Sequence, residues 1–215
     1  MPSSAPQVKR DAVKGYGGKI TLCAPNLAAR EKAAKKIIEE TGATFVHPSN
    51  DLDVIYGQGT AALELLQDHS DLDLVVTPVG GGGLIAGAGL AVSLSSKKCK
   101  TIGTEPFEAD DAYRSLQSGK IESNETANTI ADGLRTQLGD RNFPLIKEHV
   151  TEIIRVEETE IIEALRLIWE RMKIVVEPSS AVALAGVLRE KEKFEGKKVG
   201  VILSGGNVDL QKLPF

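Results

Sequence analysis

The sequence predicts an α/β chain built on an open, mostly parallel sheet flanked by helices, and three observations lead there. Leu74-Val75-Val76-Thr77-Pro78-Val79 is an apolar run of strand length, followed at once by Gly80-Gly81-Gly82-Gly83 and then by Leu84 to Leu90, a small-residue apolar segment of helix length. Val199-Gly200-Val201-Ile202-Leu203 is a second apolar run that ends in the turn Ser204-Gly205-Gly206-Asn207. Around these two, short apolar runs alternate with helical patterns, as βαβ units require.

Taken in order, residues 1 to 18 are sparsely apolar and end in the turn Gly15-Tyr16-Gly17-Gly18. Ile20 to Cys23 reads as a short strand. Leu27 to Thr41 reads as a helix with Asn26 as its N-cap, Gly42 just past its end and one buried face made by Ala34, Ile37, Ile38 and Thr41. Ala43 to Val46 is expected to be a second strand. A loop ending in Gly57-Gln58-Gly59-Thr60 should precede a helix from Ala61 to Gln67, because paired glycines weaken a helix. Thr101 to Thr104 is another short buried strand, ending at Glu105-Pro106. Residues 106 to 150 read as polar and irregular apart from a helix near Asp111 to Leu116. Glu157 to Met172 is a helix with Ile161, Leu165, Ile168 and Met172 in one stripe and four acids near its start. Ser179 to Arg189 is an alanine-rich helix after Pro178.

The composition narrows the partners. With 26 basic and 30 acidic residues and no basic block, the net charge of -4 argues against nucleic acid and toward a small substrate. Cys23 and Cys99 lie far apart with no Cys-x-x-Cys or Cys/His cluster, which suits reduced thiols and no structural zinc. No apolar run reaches membrane-spanning length, and the start Met1-Pro2-Ser3-Ser4-Ala5-Pro6 lacks the order of a secretory signal, so a cytoplasmic chain is expected.

The glycine run carries the chemistry. Glycines leave room for an oxyanion, and the first turn of the following helix offers free N–H groups at the positive end of its dipole, so a phosphate fits there. A glycine loop can also serve only to let a helix lie close to its strand. In open parallel sheets ligands bind at the carboxyl ends of strands, so the turn at Ser204 is expected to face the same ligand. Its hydroxyl can donate or accept, or can simply bond its own turn.

Gly80 to Leu84, Glu105-Pro106 with Ala109-Asp110-Asp111, Thr129-Ile130-Ala131-Asp132-Gly133, Trp169 to Lys173 with Glu177-Pro178, and Leu203 to Asp209 occur together and in order. Jointly they resemble the serine racemase and threonine dehydratase family of fold type II pyridoxal phosphate enzymes, whose fold is that of the tryptophan synthase β subunit, over nearly the whole chain. The resemblance implies that the backbone amides of Gly80, Gly81, Gly82, Gly83 and Leu84 hold the cofactor phosphate and that Ser204 meets the pyridine nitrogen. A neutral hydroxyl there leaves the ring a weaker electron sink than an acid would, which suits proton removal and β-elimination. It also implies a Mg²⁺, Ca²⁺ or Mn²⁺ site at Glu105, Asp111 and the carbonyl of Ala109, and a small amino-acid substrate, serine or threonine. A nucleotide effector such as ATP near Tyr16, Lys173 and Asn207, with Lys9 a weaker candidate, and a homodimer complete what it implies.

Two departures bear on activity. Ser49 stands where animal members have an asparagine near the cofactor, with Asn50 adjacent. The family's Ser-x-Lys-x-Arg-Gly motif, which holds the catalytic lysine, and its Ser-Ser-Gly-Asn-His loop, which holds the serine base, are absent and are expected upstream of Met1. The lysines present sit in polar or charged runs, and Lys173 lies at a helix end opposite its apolar stripe. The expectation is an N-terminally truncated chain with residues 1–49 the remnant of a small α/β domain and 50–215 the large cofactor-binding domain, inactive as written. Two other readings stay open. Gly81-x-Gly83-x-x-Ala86 with Glu105 at the next strand end fits an NAD(P)-binding oxidoreductase, although four glycines exceed that fingerprint and it gives Ser204 no role. A non-catalytic homologue that pairs with a complete subunit is the other.

Overall fold

A computed structural model describes all 215 residues apart from the side chain of Leu27. The chain divides into two compact units, one of residues 1–46 with 207–214, the other of residues 47–206 with Phe215.

The first unit holds helices α1 (Gln7–Gly15) and α2 (Leu27–Thr41). The α2 boundaries follow from its caps. Asn26 is extended and its side chain accepts from the Ala29 N–H, while Gly42 takes the left-handed conformation, φ 68°, that a side chain resists. The expected strands at Ile20–Cys23 and Ala43–Val46 do not form. A strand needs a hydrogen-bonded neighbour, and among the described residues the first stretch finds only one bridge, Cys23 with Pro2, while the second finds none. The expected buried face of α2 is absent too: Ala34 and Ile38 are half-buried, and Ile37 and Thr41 are exposed.

The second unit is a four-stranded parallel sheet, β1 (Leu74–Pro78), β2 (Lys100–Pro106), β3 (Val150–Val156) and β4 (Val199–Val201), in the order β3-β2-β1-β4. Both faces are covered, as a parallel sheet requires. On one face, Leu74, Val76, Ile102, Ile154 and Val156 pack against α7 (Glu158–Leu167) and α8 (Pro178–Arg189). Ile161, Leu165 and Ile168 have no exposure there, and each contributes about 2–3 kcal/mol of burial. On the other face, Val75 meets Ala62 and Leu66 of α3 (Leu52–Asp68) and Ala88 and Val92 of α4 (Gly83–Ser95).

Helix α3 begins at Leu52, capped by Asp51, and runs straight through the glycines read as a loop. The gain that offsets their low propensity is close approach to α4. A Cβ on Gly59 would lie 2.6 Å from the carbonyl oxygen of Gly87, and one on Gly87 would lie 2.6 Å from the Gly59 nitrogen. The segment after Pro106 is also more regular than expected. It contains α5 (Asp111–Ser118), α6 (Asn142–His149) and the edge strand β3, whose apolar residues alternate unevenly with Thr151, Glu152 and Arg155. Helix α7 starts with a capping box between Glu157 and Glu160 but ends at Leu167, giving way to a π turn, Ile168–Met172, that closes on Lys173 at φ 59°. Strand β4 stops at Val201, two residues short of the expected Leu203. Among the described residues no helix is long and apolar enough to cross a membrane.

Candidate functional site

Strand β1 delivers Gly80 to Gly83 at the carboxyl edge of the sheet, directly onto the N terminus of α4. Gly82 is the N-cap at φ 83°, a conformation that disfavours any residue with a side chain. Its neighbours are glycine for a different reason: there is no room. A Cβ on Gly80 would lie 3.0 Å from Leu134 Cα, one on Gly81 2.8 Å from Ser49 Cβ, one on Gly82 2.8 Å from Asn142 Oδ1, and one on Gly83 2.9 Å from the Ser49 carbonyl oxygen. The loop is therefore walled by the turn before α3, by the 133–138 segment and by the start of α6. Among the described residues the N–H groups of Gly81, Gly82, Gly83 and Leu84 have no acceptor, so the start of α4 presents a cluster of free donors and no side chain in the way. That donor set fits the phosphate of a cofactor.

Asn142, which the sequence reading passed over, holds this wall together. It is fully buried, its Nδ2 donates to the carbonyls of Ser49 (2.9 Å) and Gly81 (2.7 Å), and its Oδ1 accepts from the Gly139 N–H. Asn50 completes the arrangement: its Oδ1 accepts from the backbone of Arg141 and Asn142, and its Nδ2 donates to Asp140. Ser49 thus lies against the glycine loop, and Asn50 faces the loop before α6. The only sequence signal for Asn142 was a polar residue opening an apolar helical run.

Ser204 reaches the same edge because β4 pairs with β1. Val76 is level with Val201, and the Ile202 N–H still donates to the Val76 carbonyl beyond the strand's end. The turn is pinned from below by Ser180, whose Oγ accepts from the Gly205 N–H and donates to the Gly205 carbonyl, and by the Glu177 N–H on that carbonyl. The Ser204 hydroxyl itself is exposed and has no partner among the described residues, so it bonds neither its own turn nor a neighbour.

Glu105 and Asp111 are both fully buried. Glu105 accepts from the N–H groups of Ala112 and Tyr113, and Asp111 accepts from Asn124 Nδ2 and the Leu138 N–H. Burial pushes the Glu105 carboxyl well above the ordinary range, and the neighbouring charge of Asp111 adds to it. Burial likewise raises Asp111, to about 6, against the hydrogen bonds that favour its charged form. The Ala109 carbonyl accepts no hydrogen bond among the described residues, and Ala109 is buried beside them. Two repelling carboxylates and a free carbonyl fit one hard cation, although among the described residues no group of three or more acids, histidines or cysteines has metal-binding geometry. Asp110 points elsewhere, to Arg114 and Arg155. Of the remaining candidates, Tyr16 and Asn207 lie in the first unit and Lys173 in the second, all three exposed.

A parallel α/β sheet whose strand ends present a glycine-lined helix N terminus and a facing serine turn defines a phosphate-binding α/β protein of the cofactor-enzyme type. The chain belongs to the pyridoxal-phosphate dependent enzyme family, whose profile matches residues 1–205. It is 50% identical over 215 residues to a β-hydroxyaspartate dehydratase of Paracoccus denitrificans, covering 100% of this chain and 68% of that protein. It is 48% identical to the serine racemase of Dictyostelium discoideum, covering 99% of this chain and 67% of that protein. Maize serine racemase superposes with a TM-score of 0.94 at 41% identity, covering 98% of this chain and 65% of that structure. The chain thus spans about two thirds of the length of these relatives. The dinucleotide reading falls away. Its ribose-binding acid would have been Glu105, which has no exposed surface from which to reach a ribose.

Proposed function

We propose that the chain is the cofactor-phosphate-binding part of a pyridoxal phosphate enzyme that racemises or deaminates small β-hydroxy amino acids, serine, threonine or 3-hydroxyaspartate. The observation that carries this reading is the meeting of two turns at one sheet edge, the free N–H groups of Gly81 to Leu84 and the unpartnered hydroxyl of Ser204. Pyridoxal phosphate, when bound, supplies an electron sink for the bonds at an amino acid's α-carbon. The amides of α4 would hold its phosphate as an anion at a helix N terminus, and Ser49 and Asn142 would keep that cradle closed against movement. Ser204 would meet the ring nitrogen as a neutral partner, which favours loss of a proton and of a β-hydroxyl over reactions that need a fully charged ring.

Glu105, Asp111 and the Ala109 carbonyl would take Mg²⁺, Ca²⁺ or Mn²⁺. The cation would neutralise two buried charges and tie α5 to the end of β2. A nucleotide effector such as ATP at Tyr16, Lys173 and Asn207, and a homodimeric full-length form, rest on the family resemblance alone. No described lysine is buried, and the family's lysine motif is absent from the sequence, so this chain by itself is expected to bind the cofactor without turning over substrate.

Titration with pyridoxal phosphate, followed by absorbance and by assays for pyruvate, oxaloacetate and D-serine, is the test. Saturable binding that is lost in Gly82→Val supports the reading. Equal binding by wild type and variant overturns it, and turnover of serine would overturn the inactivity of the isolated chain.

A further inference from the structure

The wall of the glycine cradle between Gly133 and Arg141 has little regular structure of its own, a single 3₁₀ turn at Asp132–Leu134. Leu138 is where that wall meets the N-cap of α4. It is 6% exposed, and a Cβ on Gly82 would lie 2.6 Å from its Cδ2, so the two residues are in direct contact. An irregular backbone fixes no position by itself, and Leu138 is held from a distance. Its N–H donates to Oδ2 of Asp111, 3.1 Å away and 27 residues earlier in the chain.

Asp111 is itself fixed from its other side. Its Oδ1 accepts from Asn124 Nδ2 at 2.7 Å, and Asn124 Oδ1 accepts from Arg114 Nη2 at 2.5 Å. Arg114 is anchored in turn by Asp110, Nε to Oδ1 at 2.7 Å. Both oxygens of Asp111 therefore have a donor, one on the loop after α5 and one on the cradle wall, and the residue has no exposed surface. Burying a carboxylate is costly, and an apolar residue would fill the same place at less cost, so what the position uses is a pair of acceptors. Asp110, next to it in the chain, turns to Arg114 and Arg155.

We propose that Asp111 is a positioning residue of the phosphate cradle: it fixes the backbone of Leu138, and Leu138 holds the Gly82 N-cap that opens α4. Helix α5 thereby acts on the cradle through one hydrogen bond and one side chain. The proposal rests on the reading of the glycine run as a phosphate site, and it uses only the carboxylate, with no cation on it.

The test is a titration with pyridoxal phosphate, and separately with inorganic phosphate, in EDTA, with the thermal unfolding of each variant measured alongside. Asp111→Leu keeps the bulk of the side chain and removes both acceptors, so it should bind either ligand about ten-fold more weakly at a temperature where it is fully folded. Asp111→Asn keeps one acceptor oxygen and should recover part of that loss. Leu138→Ala leaves the bond to Asp111 in place, takes the side chain off Gly82 and should weaken binding to a similar extent. Because both act through one contact, the double variant Asp111→Leu, Leu138→Ala should bind no more weakly than the weaker single variant. Leu72→Ala removes a buried side chain ahead of β1, at the other end of that strand from the glycine run, so it should lower the melting temperature and bind as the wild type does. Wild-type affinity in Asp111→Leu or in Leu138→Ala, losses that add in the double variant, or an equal loss in Leu72→Ala would each overturn the proposal. If Asp111→Leu fails to fold, Asp111→Asn and Leu138→Ala decide. A wild type that binds neither ligand overturns the phosphate reading itself, and this proposal with it.

Discussion

Two glycines in one helix, two residues apart, should respond to alanine in opposite directions. Gly57 and Gly59 both lie in α3, but a Cβ on Gly57 meets nothing within 4 Å, whereas one on Gly59 would sit 2.6 Å from the Gly87 carbonyl oxygen and 2.9 Å from its carbon. At Gly57 only backbone entropy and helix propensity change, so Gly57→Ala should stabilise by about 0.5–1 kcal/mol. The same gain applies at Gly59, but carbon and carbonyl oxygen normally stay about 3.3 Å apart, so α3 and α4 must separate by roughly 0.7 Å. Backbone blocks the way there, with no flexible side chain to yield. Overpacking of this kind costs about 1–3 kcal/mol, and the upper end applies, for a net loss of about 2 kcal/mol. At about 2–4 °C per kcal/mol for a chain of this size, Gly57→Ala should raise the melting temperature by about 1–4 °C and Gly59→Ala should lower it by about 4–8 °C. Thermal unfolding followed by circular dichroism measures both. Equal upward shifts would refute the close helix contact. Because α4 begins with the glycine cradle, Gly59→Ala should also weaken pyridoxal phosphate binding, and Gly57→Ala should not.

Three further outcomes follow from the site. Gly82→Ala forces a side chain into the left-handed region, about 1–2 kcal/mol, and against Leu138 and Asn142, so cofactor titration should show a large loss of affinity in a chain that still melts cooperatively. Asn142→Leu leaves the carbonyls of Ser49 and Gly81 and the Gly139 N–H without partners, a loss of about 3 kcal/mol that denaturant unfolding would register; a change below about 1 kcal/mol would mean the cradle is held by other contacts. Millimolar Mg²⁺ should raise the melting temperature of the wild type and leave that of a Glu105→Gln, Asp111→Asn double variant unchanged, and an equal rise in both would remove the cation site.

What was legible in the sequence was local chemistry. Asn26 and Gly42 fixed both ends of α2 because caps are written in single residues, and the strand, glycine run and helix at 74–95 were readable because their backbone needs are unusual. What failed was whatever depends on a distant neighbour. Residues 20–23 and 43–46 have strand composition but find no strand to pair with. The glycines of α3 looked like breakers because nothing nearby in sequence reveals that Gly87 lies against them. Strand β3 was missed because an edge position admits Glu152 and Arg155, which blur the apolar run. Asn142 and the burial of Glu105 were invisible for the same reason, since a polar side chain's partners are set by the fold.

The parallel pairing of β4 with β1 also sets an order of events. Lys198 donates to Asp73 across 125 residues of chain, whereas β1 meets β2 after one helix. Closing the longer loop costs more entropy before any contact rewards it, so the strand pair that brings Ser204 beside the glycine run should be among the last to form during refolding. The N–H donors of the anion cradle come from the connection between β1 and α4, which is local in sequence, so they can be in place earlier. A refolding chain would then acquire affinity for phosphate before Ser204 reaches the same edge, and, on the proposed role of Ser204, stopped-flow traces with inorganic phosphate and with pyridoxal phosphate should part company in time.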